Sequence, residues 1–183
     1  MSISALKLKS VKENEEQLIE YKNQLYPKLQ EQGFAAQYAF PFAQKICIGK
    51  GLDIGCKHKE WAFPGSIPID LEFEDSYDAY NLPKGKFDYI FSSHCLEHLP
   101  NWVMALDYWI SKLKENGILF LYLPHYSQEY WRPWNNYKHV HVLEPHILKD
   151  YLEATEKFKH IITTGYDLNN SFYVVGYIKE YNE

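Results

Sequence analysis

Arginine is nearly absent: Arg132 stands alone among 183 residues, and the net charge is −5. A general nucleic-acid binder needs a basic face to neutralise phosphates. The composition argues against that class and leaves room only for a local basic patch. Cysteine is scarce too. Cys47, Cys56 and Cys95 show no Cys-x-x-Cys pairing for a metal, and an odd, sparse count fits a reducing cytosol. No apolar run is long enough to span a bilayer, and the start of the chain has no signal-peptide core. The expectation is a cytoplasmic protein without a membrane partner, monomeric or homodimeric. Repeats and low-complexity tracts are missing as well.

Aromatic residues are plentiful. They make up 17% of the chain, with 16 tyrosines. Core packing absorbs part of this, and a stacking surface for a planar or sugar-like ligand can use the rest. The hydrophobic share of 46% and charged share of 23% are ordinary for a globular chain. The length is that of one domain with a real core.

The stretch from Ile48 to Glu72 organises the rest. Gly51–Ile54 reads as a short apolar strand that carries Asp53 and turns on Gly55. Ile67–Leu71 reads as a second strand ending around Asp70. Strand, glycine turn, strand and acid is how an open α/β sheet builds a nucleotide site at its carboxyl edge. Gly55 lacks a Cβ and lets the backbone come close to a ligand. Asp70 is placed to accept hydrogen bonds from two ribose hydroxyls.

Val11–Gln32 is polar, with Leu18, Tyr21, Leu25 and Leu29 at helical spacing. That spacing predicts an amphipathic helix, interrupted at Pro27 and ended by Gly33. Phe34–Cys47 reads as a shorter helix broken by Pro41. Both either pack on the sheet or cover a ligand. Residues 1–33 are accordingly set apart as an N-terminal helical lid segment, and 34–183 as the main domain. Lys57–Gly65 is too short and too rich in Pro and Gly for a crossover helix. The gap from Asp70 to Asp78 is also too short, so a third strand is expected to be a stub or missing. Phe87–Ser93 is a strand of aromatic and β-branched residues. Trp102, Ala105, Leu106, Trp109, Ile110 and Leu113 form one helical stripe, stopped by Asn116-Gly117. Ile118–Leu123 is a central strand covered on both faces. Pro124–Glu144 is a long aperiodic segment, and such loops inside a domain are usually functional. Pro145–Ala154 is a helix with proline in its first turn. Lys159–Gly165 and Phe172–Lys179 form a closing hairpin.

The ordered set Leu52-Asp53-Ile54-Gly55-Cys56, Asp70, Asp78-Ala79-x-Asn81-Leu82-Pro83, Phe87-Asp88-x-Ile90 and His94-x-Leu96-Glu97-His98-Leu99 resembles the class I S-adenosylmethionine-dependent methyltransferases, nearest the subgroup with a type 11 methyltransferase domain. The likeness runs from Phe34 to the end. It implies a Rossmann-like three-layer α/β/α sandwich. Its mostly parallel sheet has seven strands or slightly fewer and closes with a C-terminal antiparallel hairpin. It also implies S-adenosylmethionine as cofactor. Asp53, Gly55, Cys56 and Lys57 then sit in the turn beside the methionine part, Asp70 and Leu71 at the ribose, and Asp78 and Ala79 at the adenine edge. Ser92, Ser93 and His94 line the site near the sulfonium methyl. The family commonly continues Asp-x-Gly-x-Gly-x-Gly. Here Lys57 and Lys59 replace the second and third glycines, so a side chain either swings outward or approaches the cofactor carboxylate.

Methyl transfer from a sulfonium is an in-line displacement in which the protein supplies alignment, and a base where the acceptor is a hydroxyl. His94 is the first candidate base, because imidazole changes charge near neutral pH. Its alternative role is to cap a helix or contact the cofactor. His125, after the fifth strand at the same sheet edge, is the second candidate. Glu97 and His98 either complete the His-x-x-Glu-His pattern of inverted zinc proteases or satisfy backbone donors at a helix start. His139 and His141 alternate as on a strand, and either pair with His125 around a metal, bind the acceptor, or pack. No metal is assigned. Tyr130, Trp131, Arg132 and Trp134, with Tyr126 and Tyr137, either stack on a sugar or flat ring while Arg132 clamps an anionic group, or fasten the loop to the sheet. The expectation is methyl transfer to a small molecule or glycan precursor, on oxygen. The rival is a non-catalytic binding module on the same fold with an altered glycine turn. A nicotinamide oxidoreductase would need a Gly-x-Gly-x-x-Gly turn that is missing here.

Overall fold

The computed structural model describes residues 9–13, 16–74, 77–167 and 169–180. The first elements are three antiparallel strands, β1 (Lys9–Glu13), β2 (Glu16–Tyr21) and β3 (Gln24–Pro27). The helix expected over Val11–Gln32 is therefore a small sheet followed by one short helix, α1 (Lys28–Gln32). Lys22 and Asn23 adopt φ of 47° and 64°, the left-handed pair that a two-residue hairpin turn requires. Ile19, Tyr21 and Tyr26 are buried against Tyr130 and Trp131 of the long loop. That distant partner selects period-two burial over the helical period.

Helix α2 (Ala36–Ile46) runs through Pro41 without a break, contrary to the expectation. Pro41 and Gln37 are exposed, so the carbonyl that loses its partner faces water. Ala36, Ala39 and Ala43 hold the inner face.

The main sheet contains β4 (Gly51–Ile54), β5 (Ile67–Ile69), β6 (Phe87–Ser93), β7 (Leu113–Pro124), β8 (Phe158–Thr163) and β9 (Ser171–Ile178). Its strand order is β5-β4-β6-β7-β9-β8. The first four are parallel, and β9 runs antiparallel to both β7 and β8. The expected third strand is reduced to a single bridge between Asp78 and Asn81. Helix α3 (Trp102–Ser111) and helix α4 (Pro145–Ala154) cover one face, and α2 covers the other. Asn116-Gly117 does not cap α3, which ends at Ser111. Leu113 already pairs with Phe87, and Asn116 and Gly117 sit in the irregularity before Ile118 pairs with Tyr89.

The two faces differ in chemistry because side chains alternate along a strand. Leu52, Ile54, Ile90, Leu119 and Leu121 point to the α3/α4 side, where Leu106, Trp109, Leu148 and Leu152 are fully buried. Phe91, Phe120 and Tyr122 point to the α2 side with Phe63. There Phe63 stacks on Phe91 at 5.0 Å, and Phe91 on Phe120 at 5.2 Å. Alanines on α2 let the helix axis approach this slab of rings. Much of the aromatic abundance is thus core. No helix of the described residues is long and apolar enough to cross a membrane.

Candidate active site

The parallel strands end at one edge. There Gly55 follows β4, Asp70 follows β5, His94 follows β6 and His125 follows β7. Because β9 is antiparallel, its first residue Ser171 meets the same edge, opposite Pro124. A cavity of about 530 Å³ opens here, walled by Gly55, Lys57, Asp70, Leu71, Ser93, His94, His98, Tyr130, Trp131 and His139, with Gln30, Glu31 and Gly33 across the gap.

The turn after β4 carries a lysine at a left-handed position. Gly55 has φ of 86°, and Lys57 takes φ of 64°, the conformation a glycine adopts most freely. The Lys57 amide donates to Asp70 Oδ2 at 2.6 Å. Its ammonium donates to the Gln32 carbonyl and lies 5.5 Å from the Trp61 ring centre. The side chain is therefore tied to the N-terminal segment. Lys59 lies over the Phe73 ring and is not part of the cavity lining.

The three acids do not share one rim. Asp70 lines the cavity, and the Glu72 amide holds its Oδ1 at 3.1 Å. Asp53 is 1% exposed. It follows the strand alternation inward and accepts the Phe63 amide at 2.7 Å, so it fastens the loop beneath the turn. Burial, reinforced by the neighbouring Asp70 carboxylate, pushes its pKa up to about 7. Asp78 accepts the Tyr80 amide at 2.7 Å within its own reverse turn. The Ala79 carbonyl receives the Trp109 indole N–H at 2.7 Å. Neither Asp78 nor Ala79 lines the cavity, because that turn is bound to itself and to α3. Cys56 is buried, with its thiol 3.9 Å from the Ile69 carbonyl.

At the end of β6, Ser93 lines the cavity with a buried hydroxyl that has no partner among the described residues. His94 has φ of 48°, a strained setting of the kind that clusters at functional sites. Its Nε2 lies 3.0 Å from Ser171 Oγ, and Gln30 Nε2 donates to that oxygen at 3.1 Å. Burial, with His139 and His98 alongside, holds the His94 pKa well below 6.5. Gln30 and Ser171 carried no local sequence signal; residues 30, 94 and 171 meet only through the fold.

His125 does not join His94. Its Nδ1 is 2.7 Å from Ser127 Oγ, and it lines a smaller neighbouring cavity with Arg132 and His141. Arg132 sits 5.5 Å from the ring centre of Trp134, which is 71% exposed and lines neither cavity. His141 Nε2 is within 3.0 Å of the Leu99 carbonyl. A trio of His125, His139 and His141 is therefore not formed. His139 instead stacks on Trp131 and meets His98 edge-on, with ring centres 4.4 Å apart. Glu97 and His98 are not helix caps either. Asn101 caps α3, accepting the Met104 amide, and the Glu97 carboxylate is buried without a hydrogen-bond partner among the described residues.

Parallel strands ending on a polar cavity, with an acid after the second, define a Rossmann-like nucleotide-binding enzyme. Residues 12–156 match the family described as methyltransferase domain. The chain belongs to that family and is a class I S-adenosylmethionine-dependent methyltransferase. No curated protein sequence matches it. Among solved structures it is similar to the N-methyltransferase NodS from Bradyrhizobium japonicum WM9, at 15% identity and TM-score 0.56, over 84% of this chain and 98% of that one. It is similar to a Haloferax volcanii putative methyltransferase in complex with the Trm112 activator, at 10% identity and TM-score 0.63, over 85% and 93%. A Thermotoga maritima S-adenosylmethionine-dependent methyltransferase, a possible histamine N-methyltransferase, matches at 16% identity and TM-score 0.61, over 82% and 93%. At such identities these likenesses define the fold. The cavity fits the cofactor: its volume is within the usual range for such ligands, and the unpartnered Ser93 hydroxyl and the Asp70 carboxylate offer it polar contacts.

Proposed function

We propose that this enzyme methylates an oxygen of a small molecule or glycan precursor. The observation that carries the reading is the half-buried His94 at the cavity wall, with Nε2 against Ser171 and Nδ1 turned toward Glu97 at 3.9 Å. In the tautomer that donates Nε2–H to Ser171, Nδ1 keeps its lone pair and accepts a hydroxyl proton. A neutral amine acceptor carries its own lone pair and needs no such group. The bound cofactor supplies a methyl group on a sulfonium. Asp70 holds its ribose hydroxyls, Ser93 and the Gly55 turn meet the rest, and Tyr130 and Trp131 flank the acceptor. Arg132 and His141, in the adjoining smaller cavity, contact an acceptor that extends beyond the main one.

The test is calorimetry with S-adenosylhomocysteine, followed by a panel of hydroxyl and amine acceptors with wild type and His94→Gln. Turnover of hydroxyl acceptors that His94→Gln abolishes supports the reading. Turnover restricted to amines, or unaffected by the substitution, overturns it.

A further inference from the structure

Glu97 presents an electrostatic problem. Its side chain is 1% exposed, and neither carboxylate oxygen has a hydrogen-bond donor among the described residues. A buried carboxylate in that condition is costly unless something positive meets it. What faces Oε1 is His94 Nδ1 at 3.9 Å and His98 Nε2 at 4.0 Å. His98 Nδ1 lies 2.8 Å from the Lys138 carbonyl, which can only accept, so Nδ1 donates. Nε2 points to the carboxylate. His139 completes the group: donor atoms of Glu97, His98 and His139 all lie within 4.8 Å of one another.

We propose that Glu97, His98 and His139 form a binding site for a divalent transition-metal ion, with zinc as the best-matched chemistry. Two imidazoles and one carboxylate are a donor set such ions favour. Bonds to zinc of about 2.0–2.2 Å place ligands on one ion about 3.3 Å apart, so side-chain rotation closes the group. The surroundings are those of metal ligands. His98 gives its other ring N–H to a backbone carbonyl, as ligating histidines commonly do. His139 is held by its stack on Trp131, 12° from parallel. The site lies where the two cavities adjoin: His98 and His139 line the larger, and Glu97 and His139 the smaller. Three protein ligands leave a position open to an acceptor. The site stands on its own geometry. Its part in transfer rests on the oxygen-acceptor reading above. There an acceptor hydroxyl held on the ion becomes more acidic and gives its proton to His94 and then to solvent. Its oxygen bonds to the methyl carbon as the carbon–sulfur bond breaks, leaving the electron pair on sulfur.

The experiment strips the full chain with a chelator and measures uptake of Zn²⁺ by metal analysis and of Co²⁺ by its visible absorption. One ion per chain is expected, with affinity falling at least tenfold in Glu97→Gln and in His139→Ala. The exposed surface variant His160→Ala should match wild type. S-adenosylhomocysteine affinity, measured on each protein, reports an intact fold. Absence of stoichiometric Zn²⁺ and Co²⁺ binding by wild type overturns the proposal. So does undiminished metal affinity in both ligand variants. Metal uptake that depends on Glu97 and His139, alongside transfer only to amines, upholds the site and overturns the acceptor reading instead.

Discussion

The backbone amide of Lys57 donates to the carboxylate of Asp70 at 2.6 Å, joining the turn after the first parallel strand to the end of the second. Lys57 holds a left-handed conformation and points its side chain at the Gln32 carbonyl. Asp70 is therefore oriented by backbone donors before any ligand arrives.

Asp70→Ala removes both that orientation and the acceptor proposed for the ribose. Hydrogen bonds to a charged partner contribute about 1.5–3 kcal/mol, so S-adenosylhomocysteine affinity should fall about 10- to 100-fold in calorimetry. Unchanged affinity would place the nucleoside elsewhere in the cavity.

Asp53 links stability to pH. Its folded pKa, raised to about 7 from 3.8, means the folded state binds the proton more tightly than the unfolded chain. By linkage, this group's contribution is full below its unfolded value and is lost as pH rises through about 7. Asp53→Asn keeps an acceptor for the Phe63 amide and cannot ionise. Urea midpoints should show a flatter pH dependence for Asp53→Asn than for wild type across that window.

The aromatic slab under α2 is where the core is most sensitive. Phe91 is fully buried between Phe63 and Phe120, and truncating such a ring costs about 3–5 kcal/mol. Phe91→Ala should lower the denaturation midpoint accordingly. Its neighbour in sequence, Ser92, donates to the Ile54 carbonyl at 2.8 Å; Ser92→Ala should cost about 1 kcal/mol.

His94→Gln should lower kcat for a hydroxyl acceptor by about 10²–10⁴, the usual range for a lost proton acceptor, with a much smaller change in S-adenosylhomocysteine affinity. Equal losses in both would make His94 a cofactor contact only.

Local pattern was enough to determine β4, β6, β7, α3, α4 and the closing hairpin. Each has a period or a bounding turn within a dozen residues, and each buries its face against the nearest layer. The family was legible for the same reason, since its motifs sit at the ends of those strands. The tertiary structure decided the rest. Ile19 and Tyr21 belong to a strand because Tyr130 and Trp131, over a hundred positions away, supply a flat surface to cover. Asp53 leaves the rim because the Phe63 amide claims it. His125 parts from His94 because Ser127 holds it over another cavity. The meeting of Glu97 and His98 with His139, and of Gln30 with Ser171 and His94, follows from strand order and from where the long loop returns. Hydrogen bonds and lone pairs act over a few ångströms, so a site assembled from distant segments exists only once the sheet has brought them together.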